Sequence, residues 1–161
     1  MYRFFRLTFG VACAVLTAGC TSQNAAPTTP TPVAPPSVVE TFTGSLIAFG
    51  SNMHTFTVSQ LGEVHVTLRS TTLEPTIDPE TGDPIPPADP TAVPELTLAI
   101  GSPTTTIFGP TCAALTAVQA KATAAPQITG SALAGNFCVS YSDPSGVLTN
   151  VVDYTIVVAH P

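Results

Sequence analysis

Residues 53–70 read MHTFTVSQLGEVHVTLRS, and this stretch decides the predicted fold. Apolar and polar residues alternate in two runs that are separated by a short turn at Leu61 and Gly62. A period of two buries one face of a strand and leaves the other in water, which is typical of antiparallel sheets. The stretch therefore predicts an antiparallel hairpin lying on a core. Its inward-facing residues would be Phe56, Val58, Val64, Val66 and Leu68.

The N-terminal residues 1–19 have the pattern of a signal peptide. Arg3 and Arg6 precede the uncharged run LTFGVACAVLTAG, which leads to Cys20. This run is too short to cross a bilayer as a stable helix, and small residues occupy the expected cleavage point. A permanent membrane anchor is the alternative, but the polar residues that follow Cys20 disfavour it.

The sequence LTAGC at residues 16–20 resembles the bacterial lipobox. In that family of signals the cysteine is acylated and becomes the first residue of the mature protein, so the resemblance implies a lipid on Cys20 and attachment to a membrane. Because Thr21 rather than an acidic residue follows, it also implies sorting to the outer membrane, on its periplasmic or surface face. The alternative is an ordinary secretory signal and a secreted protein.

The charge of the chain limits its partners. The formal net charge is −6, and loss of Arg3 and Arg6 with the signal peptide would leave two basic and ten acidic residues, a charge of −8. An acidic surface repels phosphate groups, which argues against nucleic-acid binding and against attraction to an anionic bilayer. The lipid is then the predicted contact with the membrane.

The cysteines predict a single disulfide bond. Cys13 would leave with the signal peptide and Cys20 would carry the lipid, so Cys112 and Cys138 remain. In an oxidising exported compartment these two have one pairing available. Two separate buried thiols are the alternative.

Composition divides the rest of the chain into a tether and one folded domain. Residues 20–37 are rich in proline and threonine and carry no charge, which predicts an extended tether. Residues 38–161 would form the domain, interrupted by a loop at 74–94. Seven prolines and five carboxylates fall within 71–94, so this stretch is predicted to be exposed and to contain no central strand or helix.

The folded domain is predicted to be all-β. Short alternating runs separated by turn residues favour one antiparallel β-sandwich of about seven to nine strands, either jelly-roll or Ig-like. Cys112–Gln119 is interpreted as a strand, with a helical turn as the alternative because alanine is frequent there. The other predicted strands lie at 39–49, within 53–70, and at 95–100, 104–108, 127–133, 137–141 and 150–159.

Three pieces of the sequence together resemble the bacterial pre-peptidase C-terminal domains. They are SLIAFGSNMHTFTVSQLGEVHVTLRS at 45–70, ELTLAI at 95–100 and GNFCVSYSDPSGVLTNVVDYTIVVAHP at 135–161. The resemblance implies a non-catalytic β-sandwich module of the kind often appended to secreted peptidases. The loop at 74–94 is an insertion relative to that pattern, and the matching positions are structural, so no functional residues are carried over.

Two groups of residues are candidate metal ligands. Asp78, Glu80 and Asp83 resemble part of a calcium loop, although the spacing of an EF-hand is absent, and a solvated acidic turn is the main interpretation. His54 and His65 are expected to be exposed on the hairpin, where zinc would lack a third ligand. His160 is interpreted as incidental. No cofactor is predicted, with weak calcium binding as the alternative.

We expect from the sequence that the protein is not an enzyme, because it contains no G-x-S-x-G, H-E-x-x-H, P-loop or C-x-x-C motif. The preferred hypothesis is a non-catalytic lipoprotein of the cell envelope that binds a protein or polysaccharide partner through the loop at 74–94. One alternative is a purely structural envelope lipoprotein. The others are an enzyme with an unrecognised site and a calcium-dependent polymer-binding module.

Overall fold

A computed structural model describes residues 35–161, which form β-strands, turns and loops. The predicted signal peptide, Cys20 and most of the tether lie outside the described residues. Among residues 35–161 there is no helix with both the length and the apolar character needed to span a bilayer. The strands are β1 (Val38–Leu46), β2 (Ser51–Val58), β3 (Gly62–Leu73), β4 (Thr76–Ile77), β5 (Pro84–Ile85), β6 (Leu96–Thr106), β7 (Gly109–Ala120), β8 (Ile128–Ala132), β9 (Gly135–Ser142) and β10 (Val152–His160).

Eight of these strands form two four-stranded antiparallel sheets that enclose one core. The first sheet has the order β1-β10-β3-β8 and the second the order β2-β9-β6-β7, while β4 and β5 pair separately. Numbered without β4 and β5, the two orders become 1-8-3-6 and 2-7-4-5, which is the jelly-roll arrangement. The predicted antiparallel sandwich is confirmed, and the strand order selects the jelly roll over the Ig-like alternative.

The predicted hairpin at 53–70 is wrong, although both of its strands exist. β2 pairs with β9 in the second sheet, whereas β3 pairs with β10 and β8 in the first. Residues 59–61 arch from one sheet to the other, and the Ser59 amide donates a hydrogen bond of 3.1 Å to the carbonyl of Pro161. Strands in facing sheets bury side chains in the same core, so alternation identifies the buried face of a strand but not its partner.

The core lies between the two sheets and is almost wholly apolar. In β10 every second side chain from Val152 to Val158 is buried, and in β3 the same holds from Val64 to Leu68. Complete burial of one such side chain stabilises the fold by about 1.5–3 kcal/mol relative to its exposure. The largest fully buried apolar side chains are Tyr141, Leu46, Leu68, Leu96, Leu98 and Ile156.

Strands β6 and β7 are the two consecutive sandwich strands that pair with each other. The separate strands predicted at 95–100 and 104–108 form one strand, β6, whose register with β7 shifts between Ile100 and Gly101. A side chain at Gly101 would collide with the carbonyl group of Ala113, so only glycine fits this close approach. The alanine-rich region is strand, as predicted, and the helical alternative is wrong.

The predicted disulfide between Cys112 and Cys138 is confirmed. It joins β7 to β9, with the two Cα atoms 5.8 Å apart, although β6 lies between these strands in the second sheet. The pairing of β6 with β9 ends at Gly101, which is opposite Cys138. The bond therefore ties the β6–β7 hairpin to the sheet at the point where β6 separates from β9.

Candidate functional site

The loop at 74–94 is fixed to the sandwich at both of its ends. At its start, the Glu74 amide donates a hydrogen bond of 2.8 Å to the carbonyl of Val151. Nearby, the Leu73 amide donates to the carbonyl of Pro90, also at 2.8 Å, and Val93 is buried against the core. The two ends of the loop are thereby held close together on a rigid support.

The middle of this loop is a small hairpin, the paired strands β4 and β5. The Asp78 amide donates to the carbonyl of Asp83 at 2.9 Å, and the Asp78 carboxylate accepts the amide of Glu80 at 2.8 Å. Such an Asx turn shapes the backbone through the aspartate side chain. The hairpin exposes two large apolar side chains, with Ile77 63% and Ile85 49% accessible to solvent.

The surface of the loop combines these apolar side chains with negative charge. Residues 71–94 contain five carboxylates and no lysine, arginine or histidine. Among residues 35–161 no three histidine, cysteine or acidic side chains are grouped to hold a metal ion. The carboxylate of Asp78 is engaged by the backbone of its own turn, and calcium binding with Glu80 and Asp83 stays a prediction.

A second acidic feature lies where the loop leaves β3. Burial raises the pKa of Glu74. The negative charge of Asp153 and a hydrogen bond between the two side chains raise this pKa further. The Ser45 hydroxyl donates to Asp153 Oδ1 at 2.6 Å. Ser45 and Asp153 border an open depression of about 290 Å³ on the outer face of the first sheet, which Thr43, Ser70 and other hydroxyl side chains also line.

A larger depression, of about 410 Å³, lies at the base of the loop beside Thr91 and Val93. Arg69 and Lys121 both line it, and these are the only lysine or arginine residues after Arg6. Arg69 donates to the carbonyl of Ala124 at 3.0 Å. Arg69 and Lys121 thus lie on the same depression, beside the acidic loop.

The histidines His54 and His65 do not come together, because β2 and β3 belong to opposite sheets. The expectation that they share a hairpin face is therefore wrong. His54 Nε2 lies 2.9 Å from the Tyr154 hydroxyl, and the imidazole stacks on Phe42. Burial lowers the pKa of His54. His65 Nε2 lies 3.6 Å from the Glu63 carboxylate on the outer face of β3.

His160, interpreted from the sequence as incidental, is a buried structural residue. Its side chain is only 2% exposed, and Nε2 lies 2.9 Å from Glu40 Oε1. Nδ1 lies 3.1 Å from the carbonyl of Pro161. The signal was present in the sequence, because the alternation of Val152, Tyr154, Ile156 and Val158 continues to position 160 on the inward face.

Comparison with known proteins gives no relative from which a function could be transferred. No family model matches this chain, and no curated protein matches it either. The resemblance to pre-peptidase C-terminal domains therefore stays a prediction. The candidate site is defined by its own geometry: the loop at 74–94, its exposed hairpin and the depression at its base.

Proposed function

We propose that this protein is a non-catalytic interaction module of the cell envelope, attached to the membrane by a lipid on Cys20. The jelly roll is the support, and the loop at 74–94 contacts a partner protein or polysaccharide. One observation carries the proposal: the loop is fixed at both ends, while its hairpin exposes Ile77 and Ile85 among carboxylates. Loops held on a rigid scaffold are where binding specificity is usually placed.

The chemistry of the loop defines the partner. Carboxylates attract basic groups and speed the encounter with a positively charged surface. A partner that removes the exposed isoleucines from water lowers the free energy of the complex. A partner with basic groups around an apolar recess fits both features better than an acidic or uniformly polar surface would.

The tether and the lipid suit this role. Residues 20–37 are proline-rich, and a chain of this composition extends by about 3.1 Å per residue. The tether would hold the jelly roll about 55 Å or less from the bilayer, within reach of other envelope components. An acidic module gains little from the bilayer surface itself.

The test compares two pairs of neutralised carboxylates. Glu80→Gln with Asp83→Asn removes two charges from the loop but keeps Asp78, whose carboxylate shapes the turn. Glu63→Gln with Glu95→Gln removes two exposed charges from the sandwich and serves as the matched control. Crosslinking in intact cells, followed by quantification of each crosslinked species, measures partner contact.

We expect the loop pair to lose most of the partner crosslink and the control pair to retain it. Both variants should keep the free energy of unfolding within about 0.5 kcal/mol, because the substituted side chains are on the surface. Equal crosslinking by the two variants would exclude the loop as the contact and would favour a purely structural envelope lipoprotein.

A further inference from the structure

The outer edge of β7 is the longest open strand edge of the sandwich. Among residues 35–161, β7 ends the second sheet and pairs only with β6. It has twelve residues, compared with five in β8, eight in β2 and nine in β1, which end the sheets elsewhere. A strand of this length presents about 40 Å of unpaired backbone.

This edge lacks charged side chains, although Pro110 and a bulge at Leu115 interrupt its regular backbone. Natural edge strands are commonly blocked by charged side chains, and residues 96–120 contain no charged residue in a chain of net charge −6. Residues 113–117 are all exposed, so both faces of the strand are open there. At the end of the hairpin, Ile107 and Phe108 are 93% and 94% exposed.

We propose that β7 pairs antiparallel with β7 of a second copy of this chain, joining two second sheets into one eight-stranded sheet. A strand that pairs with its own copy antiparallel is related to it by a two-fold axis, so one edge satisfies both partners. Main-chain hydrogen bonds carry such a contact, as in other strand additions.

The distribution of charge favours a second copy of this chain as the partner of the β7 edge. Two copies of an acidic chain repel each other over most of their surfaces, and the uncharged β7 edge is where they can approach without that cost. The β1 edge is shorter and has a carboxylate at its third residue, Glu40, so self-pairing there would bring two carboxylates into the contact. This inference does not depend on the loop at 74–94 and goes beyond the proposed function.

The two-fold axis gives a specific test by charge exchange. Two copies of the full chain with different tags are co-expressed, and one tag is used to retrieve the other. Thr116 is exposed in β7, and a charge at this position, near the middle of the strand, would lie close to the same charge on the second copy. The matched control is the same substitution at Thr41, which is exposed on the edge strand β1 at the other side of the sandwich.

Two native copies should retrieve each other, and two Thr41→Lys copies should retrieve each other equally well. Thr116→Lys in both copies, or Thr116→Glu in both, should reduce retrieval by at least about tenfold, because like charges would oppose each other. Thr116→Lys in one copy with Thr116→Glu in the other should restore retrieval. Thermal unfolding of each purified variant verifies that the fold is intact.

Two results would overturn the proposal. One is failure of the native copies to retrieve each other, and the other is equal retrieval by native and Thr116→Lys copies. The exposed hairpin end could instead contact lipid. Loss of vesicle binding by Ile107→Ser with Phe108→Ser, in a chain whose native form shows no self-retrieval, would assign this surface to the membrane and not to a second copy.

Discussion

The hydroxyl groups of two core tyrosines should have opposite effects on the stability of the fold. The Tyr154 hydroxyl is bonded to His54 Nε2, whereas the Tyr141 hydroxyl is buried and has no hydrogen-bond partner among the described residues. The rings of the two tyrosines meet edge to face, with centroids 5.2 Å apart. Burial, with the charge of Asp143 as a smaller cause, raises the pKa of Tyr141.

Removal of each hydroxyl should therefore have opposite effects on stability. Tyr141→Phe should raise the free energy of unfolding by about 1 kcal/mol, because an unpaired buried hydroxyl is costly. Tyr154→Phe should lower it by about 1 kcal/mol, because His54 loses its partner. Urea unfolding measures both, and equal destabilisation by the two substitutions would contradict the assignment.

The ionised side chain of Asp143 should make the stability of the fold sensitive to acid. Its carboxylate is fully buried and accepts hydrogen bonds from the amides of Val147 at 3.0 Å and Leu148 at 2.9 Å. Burial acts to raise the pKa of Asp143, but the hydrogen bonds from Leu148, Val147 and other backbone amides outweigh burial and hold the pKa below the ordinary value of 3.8.

This lowered pKa fixes the direction of the pH effect. The unfolded chain takes up the proton first, so the stabilisation by Asp143 is complete above pH 3.8 and is lost as the pH falls through the folded value. Asp143→Asn should lower the free energy of unfolding by about 2 kcal/mol at pH 7. Unfolding measured from pH 7 to pH 2 should show a smaller decline in the variant, and parallel curves would refute the role.

At the scale of elements, the disulfide holds the β6–β7 hairpin to β9. The two cysteines are 26 residues apart. In the chain-entropy model, opening a loop of this length lowers the free energy of unfolding by about 3.5 kcal/mol. The double substitution Cys112→Ala with Cys138→Ala should show this loss in urea unfolding. A loss below about 1 kcal/mol would mean that native contacts, and not the bond, order this region.

The elements also show what the sequence could predict. The period of two located most of the sandwich strands, because a half-buried strand imposes this pattern locally. β7 has no such alternation, and it was predicted as a strand because its apolar spacing does not fit one face of a helix. Pairing was not predictable in the same way. β2 and β3 are adjacent in the chain but face each other across the core, and β10 inserts between β1 and β3 from more than seventy residues away.

The candidate site was predictable in composition but not in form. Proline and carboxylates marked the loop at 74–94 as exposed. Its fixed base depends on hydrogen bonds to Val151 and between Leu73 and Pro90, which are tertiary contacts without a sequence signal. The Glu40–His160 pair was missed for the same reason, since its members lie 120 residues apart.

For the whole molecule, the proposed lipid attachment makes location depend on one residue. Cys20→Ser should abolish labelling of the protein by a fatty acid and should move it out of the fraction that needs detergent for extraction. Cys13→Ser, within the same predicted signal peptide, is the matched control and should leave labelling and fractionation unchanged. Retention of the label by the Cys20 variant would refute the lipobox interpretation.

The position of β10 has a consequence for the time at which the protein can fold. Of the ten described strands β10 is synthesised after the other nine, yet it is one of the two central strands of the first sheet and pairs with both β1 and β3. A nascent chain that lacks it has no complete core. Folding of the sandwich should therefore be completed only after β10 has left the ribosome, however early the other nine strands emerge.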